Sequence, residues 1–461
     1  MKKICLLIII ILKFGLCNAQ YHSLLDFSET TSRNPTGDLI ISGNVLYGMT
    51  TNGGTNNTGT IFSINTDGSG FTSLLDFTGE NGKWPMGSLI FDGHVLYGMT
   101  EGGGINDNGT IFSINTDGSG YTNLHNFDSI NGASPQGSLL LVNGLLYGMT
   151  YLGGANGGGT IFSINTDGTN YHVFFNFNES TGKYPTGSLT ASAGMLYGMT
   201  SSNGISSGTI FSIKNDGTDY TKLLDFSGTN GATPRGSLTL FGNVLYGMTS
   251  RGGTGNSGVI FSINTDGTAF QFFNLSGMPN GSLTISGNVL YGMTGYSGLY
   301  QGNIFSINTD GSALNNMFQF NGATGYQPQG SLILAANVLY GMTYEGGENP
   351  GGVIFSFNLG ITGINELENT VTFNVFPNPV GNTITIIYTS SVKDELTITI
   401  KNELDQIVYT ETKKDFTGEY INTIDLSKHS KGIYFVEVTL GNPSSQSHKV
   451  QDKLIKKIII N

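Results

Sequence analysis

The pentapeptide LYGMT fills residues 46–50, and the same five letters return at 96, 146, 196, 245, 290 and 339. Steps of 50, 50, 50, 49, 45 and 49 residues mark tandem copies of one structural unit. Read as a strand, the word sets Tyr97 and Met99 on one face and Leu96, Gly98 and Thr100 on the other. The glycine suggests that a neighbouring sheet comes close. A catalytic centre is a single asymmetric constellation, so residues that recur once per copy are candidates for packing, the seven methionines included.

Working outward, residues 87–136 read GSLIFDGHVLYGMTEGGGINDNGTIFSINTDGSGYTNLHNFDSINGASPQ. Four runs, GSLIF, HVLYGMT, GTIFSIN and YTNLHNF, are short, apolar and bounded by Gly, Asn, Asp or Pro, as strands are. The joints Asp92-Gly93 and Asn115-Thr116-Asp117-Gly118 suit tight turns. Four antiparallel strands per unit of about 50 residues is propeller-blade spacing. The fourth strand is missing after the seventh third strand, VIFSF at 353–357, and a spare copy, YHSLLDF, stands at 21–27. An open solenoid gains nothing from such a split, whereas a ring uses it to fasten its last blade. The expectation is all-β: a seven-bladed β-propeller over 20–360, closed by an N-terminal strand.

The pattern G-S-L, LYGMT, GG, G-T-I-F-S-I and D-G resembles the GloVer tandem repeat of bacterial exported proteins, over about 21–358. That resemblance implies export and supplies no catalytic residues. Residues 1–19, MKKICLLIIIILKFGLCNA, read as a signal peptide ending in a small-x-small site, and Leu16 before Cys17 argues against lipoprotein processing. Both cysteines, Cys5 and Cys17, fall in that segment, so the mature chain would have no disulfide or thiolate site. Loss of Lys2, Lys3 and Lys13 takes the formal charge from −12 to −15, which disfavours nucleic acid and anionic membrane surfaces as partners. No later segment is apolar enough to span a bilayer.

After a linker at 361–370, residues 371–461 change composition and hold strand-like runs suited to a small Ig-like β-sandwich. Phe376-Pro377-Asn378-Pro379, Lys431-Gly432-Ile433-Tyr434-Phe435 and Lys453-Leu454-Ile455-Lys456-Lys457 resemble the type IX secretion system C-terminal sorting domain. The resemblance implies inner-membrane export machinery and the type IX machinery as partners, and a protein secreted or attached to the outer cell surface. Pro377, Asn378, Pro379, Gly432, Tyr434, Lys453, Lys456 and Lys457 would carry the signal.

Loops that differ from copy to copy are where binding would reside. Trp84, Glu101, Tyr151, Tyr184, Arg235, Arg251, Tyr296, Tyr300, Tyr344 and Glu345 stand there, with Lys83 and Lys183 beside two of them. Aromatics with a few charges suit stacking on sugar rings. The reading is a noncatalytic module that binds an extracellular glycan or protein. One alternative is a polysaccharide-degrading hydrolase or lyase using acids such as Glu101 and Glu345, and another is a structural envelope or matrix protein. No catalytic residue, metal or cofactor is assigned: the histidines lack ligand spacing, the NTDG turns offer one Asp each rather than a calcium loop, and the GGG runs lack a phosphate-loop Lys.

Overall fold

The computed structural model describes residues 21–28, 32–202, 207–295, 301–359, 372–376, 383–402, 406–440 and 453–460. The signal peptide and linker expected from the sequence lie outside the described residues. Two compact units divide the chain, Met1–Gly360 and Ile361–Asn461. Among the described residues there is no α-helix, and none long and apolar enough to cross a membrane.

In the first unit the described residues make seven four-stranded antiparallel sheets. One comprises Ile90–Asp92, Val95–Thr100, Thr110–Asn115 and Thr122–Asn126 in sequence order. The sheet made from the seventh repeat draws its fourth strand from elsewhere: Tyr21–Asp26 pairs antiparallel with Val353–Asn358, with Tyr21 opposite Phe357. The Tyr21 ring stacks on Phe318 at 4.5 Å and its hydroxyl donates to the Thr324 carbonyl at 2.6 Å. The first strand of each sheet is shorter than GSLIF suggested, because Gly87 and Ser88 are committed to a different contact, described below.

The face that carries Tyr and Met packs on the next sheet. Tyr47, Met49, Ile61 and Phe77 bury themselves against Leu89, Leu96, Phe112 and Ile114 of the following repeat. The same set joins Tyr340, Met342, Ile354 and Phe27 to Leu39, Leu46, Phe62 and Ile64. Phe77 meets Phe112 edge-on at 5.5 Å, a geometry worth about 0.5–1.5 kcal/mol beyond burial, and Phe27 meets Phe62 likewise at 5.4 Å. The glycine of LYGMT has a different reason from the one expected. A Cβ on Gly98 would lie 2.5 Å from Cζ of Phe112, its cross-strand partner in the same sheet. The phenylalanine ring lies across the glycine, so the space is filled from within the sheet. The final Thr100 is buried and shares a hydrogen bond with Thr110 at 2.9 Å while donating to the Gly102 carbonyl.

The tight turns are satisfied internally. Asp67 Oδ1 accepts from the Ser69 N–H and hydroxyl at 2.9 and 2.6 Å, and these bonds hold the carboxyl below its ordinary range. Asp117, Asp167, Asp216, Asp266 and Asp310 do the same with a Ser or Thr two residues on.

Gly87 and Ser88 belong to a relay that passes from repeat to repeat. The N–H of Asp38 donates to Ser88 Oγ, and so on through Ser138, Ser188, Ser237, Ser282 and Ser331, at 2.7–2.8 Å per link. The seventh link runs from the Ser331 N–H to Asp38 Oδ1 at 2.5 Å. The preceding glycines approach so closely that a Cβ on Gly187 would sit 2.2 Å from the Gly236 carbonyl oxygen, and the other six are equally tight.

The second unit is a five-stranded network in which Thr372–Phe376, Thr383–Asn402, Gly432–Leu440 and Lys453–Ile460 follow in order, and Ile407–Asp425 pairs with Thr383–Asn402. Four of the runs legible in the sequence are fused into two long strands, with register shifts between Ser390 and Leu396. Ile384 and Ile386 from one half and Ile398 and Ile400 from the other line a single core with Tyr434, Val436 and Ile458.

Two expectations follow from the relay. Gly187→Ala will destabilise the protein by about 1–3 kcal/mol or more, read by thermal unfolding, because the clash is with backbone. Gly322→Ala, where a Cβ meets nothing within 4 Å, will stay within about 0.5 kcal/mol. Burial pushes the Asp38 carboxyl above its usual range. The folded protein therefore holds that proton more tightly than the unfolded chain, and the stability it contributes is lost as pH rises through the folded pKa. Asp38→Ser, matching the other six positions, will raise Tm at neutral pH, and the gain will shrink as pH falls through the raised folded-state pKa and level off at the ordinary carboxylate range.

Candidate functional site

A cavity of about 390 Å³ opens above the glycine–serine relay. Seven of its ten lining residues occupy one position in each repeat, the x of Pro-x-Gly: Thr36, Met86, Gln136, Thr186, Arg235, Asn280 and Gln329. The backbone here is fixed on both sides. The following glycine is held by the relay, and the preceding proline is seated against a third-strand glycine, where a Cβ on Gly109 would be 2.9 Å from Pro135 Cδ. Below, a narrower space of about 70 Å³ is lined by the seven Pro-x-Gly side chains and the glycine–serine pairs.

Around this level stands the residue just before each proline, mostly left-handed in backbone, with φ of 55° at Trp84, 63° at Tyr184 and 52° at Thr233. Its carbonyl accepts from the N–H of the residue after LYGMT. Glu101 is so tied to Trp84 at 3.1 Å, Tyr151 to Ser134 at 3.3 Å, Ser250 to Thr233 at 3.1 Å and Tyr344 to Gln327 at 3.2 Å. The two loop families chosen from the sequence are thus hydrogen-bonded neighbours within each repeat.

Of the residues expected to bind, Tyr151 and Arg235 line the large cavity. Tyr184 packs on Tyr151 at 5.2 Å between centroids, with the Lys183 ammonium 5.1 Å above its ring. The Glu101 carboxylate accepts from Gln136 Nε2 at 3.0 Å, orienting a cavity side chain. Arg235 and Arg251 share an adjoining space of about 220 Å³ with Ser250, Met278, Asn280, Gly295, Gln327 and Gln329. Trp84 is 40% exposed beneath Lys83, 4.4 Å from its ring, and that lysine also pairs with Asp107 at 2.7 Å. Neither Trp84 nor Tyr344 nor Glu345 lines these cavities. Glu345 is bridged to Tyr326 through the backbone, and its carboxylate, hydrogen-bonded to the Tyr326 phenol, pushes that phenol up. Tyr296 and Tyr300 lie outside the described residues.

Sequence reasoning missed Thr36, Met86, Gln136, Thr186, Asn280 and Gln329. The signal was the recurrent Pro-x-Gly, whose middle residue varies while its flanks do not. His125 is a packing residue: it stacks on Tyr171 at 3.7 Å, and burial pushes its imidazole pKa down. Among the described residues no group of three or more His, Cys, Asp or Glu is placed to hold a metal ion.

In the second unit two of the three sorting motifs pair with each other. Gly432–Leu440 runs antiparallel to Lys453–Ile460, setting Tyr434 opposite Ile458, Phe435 opposite Lys457 and Val436 opposite Lys456. Tyr434 is buried and its hydroxyl donates to the Ser430 carbonyl at 2.8 Å. Pro377, Asn378 and Pro379 lie outside the described residues.

Comparison with known proteins gives two family matches: the Gloeobacter/Verrucomicrobia repeat over residues 10–207 and 141–298, and a secretion system C-terminal sorting domain over 374–461. No curated protein matches the sequence. Similar solved structures include a puromycin hydrolase (10% identity, TM-score 0.47, 81% of this chain and 61% of that one), so this chain spans less than two thirds of its length. Others are a calcium-binding protein, regucalcin, from Agrobacterium tumefaciens (11%, 0.39, 76% and 97%) and the endosialidase of phage phi92 (12%, 0.42, 78% and 72%). Likeness at this level bears on neither activity nor ligand. The repeat match covers more than half of the sequence and the sorting-domain match takes in residues 374–461: the chain belongs to the Gloeobacter/Verrucomicrobia repeat family and is addressed by a type IX sorting domain to secretion or the outer cell surface.

Proposed function

We propose that residues 20–360 form a closed seven-bladed β-propeller that binds an extracellular glycan, or a protein in its place, without catalysing a reaction. In this reading residues 1–19 are a signal peptide removed on export, 361–370 a linker, and 371–461 a sandwich that engages the type IX machinery. Closure is supported by the pairing of Tyr21–Asp26 with Val353–Asn358 and by the relay's return to Asp38. The binding role rests on the Pro-x-Gly position, where a backbone repeated in each unit carries a different set of side chains: hydroxyls, amides, one thioether and one guanidinium. Amides and hydroxyls beside Tyr151 suit sugar hydroxyls and a sugar face. Glycoside hydrolysis needs two carboxyls at a set separation across the bond. Glu101 is engaged with Gln136 and Glu345 with Tyr326, which favours binding over turnover.

The full chain, probed on an array of polysaccharides with product analysis of every hit, will bind without shortening its ligand. Tyr151→Ala will weaken that binding about tenfold with Tm unchanged. Shortened products that vanish in Glu101→Gln would instead identify a hydrolase or lyase. Silence across the array, with cavity variants indistinguishable on cells, would identify a structural protein. Closure has its own test: Phe27→Ala will cost about 3–5 kcal/mol, and removing residues 21–27 will lower Tm further, whereas unchanged unfolding would refute it.

A further inference from the structure

We infer that the cavity takes its glycan by an acidic group, a carboxylate or sulfate held between Arg235 and Arg251. The inference rests on the saccharide reading above and narrows it to a class. Residues 20–360 contain twenty acidic and only seven basic side chains, so a randomly placed cation here would find a carboxylate. Most of the others do. Lys83 pairs with Asp107, Lys214 with Asp219 and Lys222 with Asp225, while Lys183 lies over Tyr184.

The whole chain has three arginines. Arg33 donates to Asn57 Oδ1 at 3.1 Å. The other two come from different positions in the repeat, Arg235 from Pro-x-Gly and Arg251 from the loop that follows LYGMT, yet they line one space. That space contains no acidic residue, and among the described residues neither arginine makes an ion pair. Both are exposed, so their placement is not explained by burial or by the fold.

Two guanidiniums bordering one space, with no carboxylate among its lining residues, make an anion its favoured occupant. Their planar forks match the two oxygens of a carboxylate, or those of a sulfate, better than an ammonium would. Asn280, Gln327 and Gln329 on the same wall supply neutral donors and acceptors for adjacent hydroxyls, and Arg235 also borders the larger cavity beside Tyr151. An acidic sugar could thus place its anion between the arginines and extend its ring toward the tyrosine. The negative charge of the rest of the unit would repel polyanions elsewhere on the surface and confine binding to this site.

The test is calorimetric titration of the full chain with oligogalacturonate, sulfated dextran and neutral dextran at low and moderate salt. Tight binding of one of the two acidic probes, weakened about tenfold by either Arg235→Gln or Arg251→Gln and by more in the double variant, is the expected result. Which probe binds tells carboxylate from sulfate. Arg33→Gln should leave the affinity unchanged, and because Arg235 and Arg251 are exposed, the variants should keep the parent Tm. Acidic binding that survives the double variant would overturn the arginine site. Binding of neutral dextran alone would overturn it while sparing the saccharide reading, and absence of binding to any saccharide on this panel and the wider array would overturn both.

Discussion

Backbone meets backbone at the glycine–serine relay, and the rest of the repeat unit is arranged around that contact. No side chain, not even a methyl, fits between Gly187 and the Gly236 carbonyl. The seven repeats therefore approach to a distance set by peptide groups alone, and each serine hydroxyl accepts the N–H of its neighbour. The spacing at this level is fixed by backbone contact, and Tyr, Met and the paired phenylalanines pack between successive sheets.

The same contact explains why the candidate site can vary. Pro-x-Gly is held by a proline seated on one strand and a glycine locked in the relay, so the backbone is fixed while the side chain between them differs from repeat to repeat. Thr36, Met86, Gln136 and Arg235 occupy equivalent backbone positions with quite different chemistry. Asp38 is the one departure at the relay itself. Its carboxylate accepts the last link where the first and seventh repeats meet, and burial makes it the least comfortable of the seven.

Much of the fold was legible from period and turn chemistry, because both are local. LYGMT and GTIFSIN gave their strands, and the spare YHSLLDF gave the partner of Val353–Asn358. What local reading could not supply was the identity of contacts across the sheet. The glycine of LYGMT looked like an opening for a neighbouring sheet, whereas its space is taken by a phenylalanine fourteen residues on, Phe112 over Gly98. GSLIF looked like a full strand, but its first residues serve the relay. In the candidate site the loops were recognised by their variability, and Tyr151, Arg235 and Arg251 came from them. Gln136, Asn280 and Gln329 were passed over because Pro-x-Gly looks like ordinary turn punctuation until the relay shows that seven copies converge. Trp84, Tyr344 and Glu345 were equally conspicuous in sequence, yet they line neither cavity.

The pairing of Tyr21–Asp26 with Val353–Asn358 also sets a clock. A strand synthesised near the start must wait for more than three hundred residues before its partner exists. Bringing such distant segments together is slow, since the loop entropy is lost before the contacts repay it. Until then Phe27 and Phe62 have nothing to bury the gap between the first and last sheets. The first strand's contacts are therefore the last of this unit that can form, although the repeats between can already pack on their neighbours.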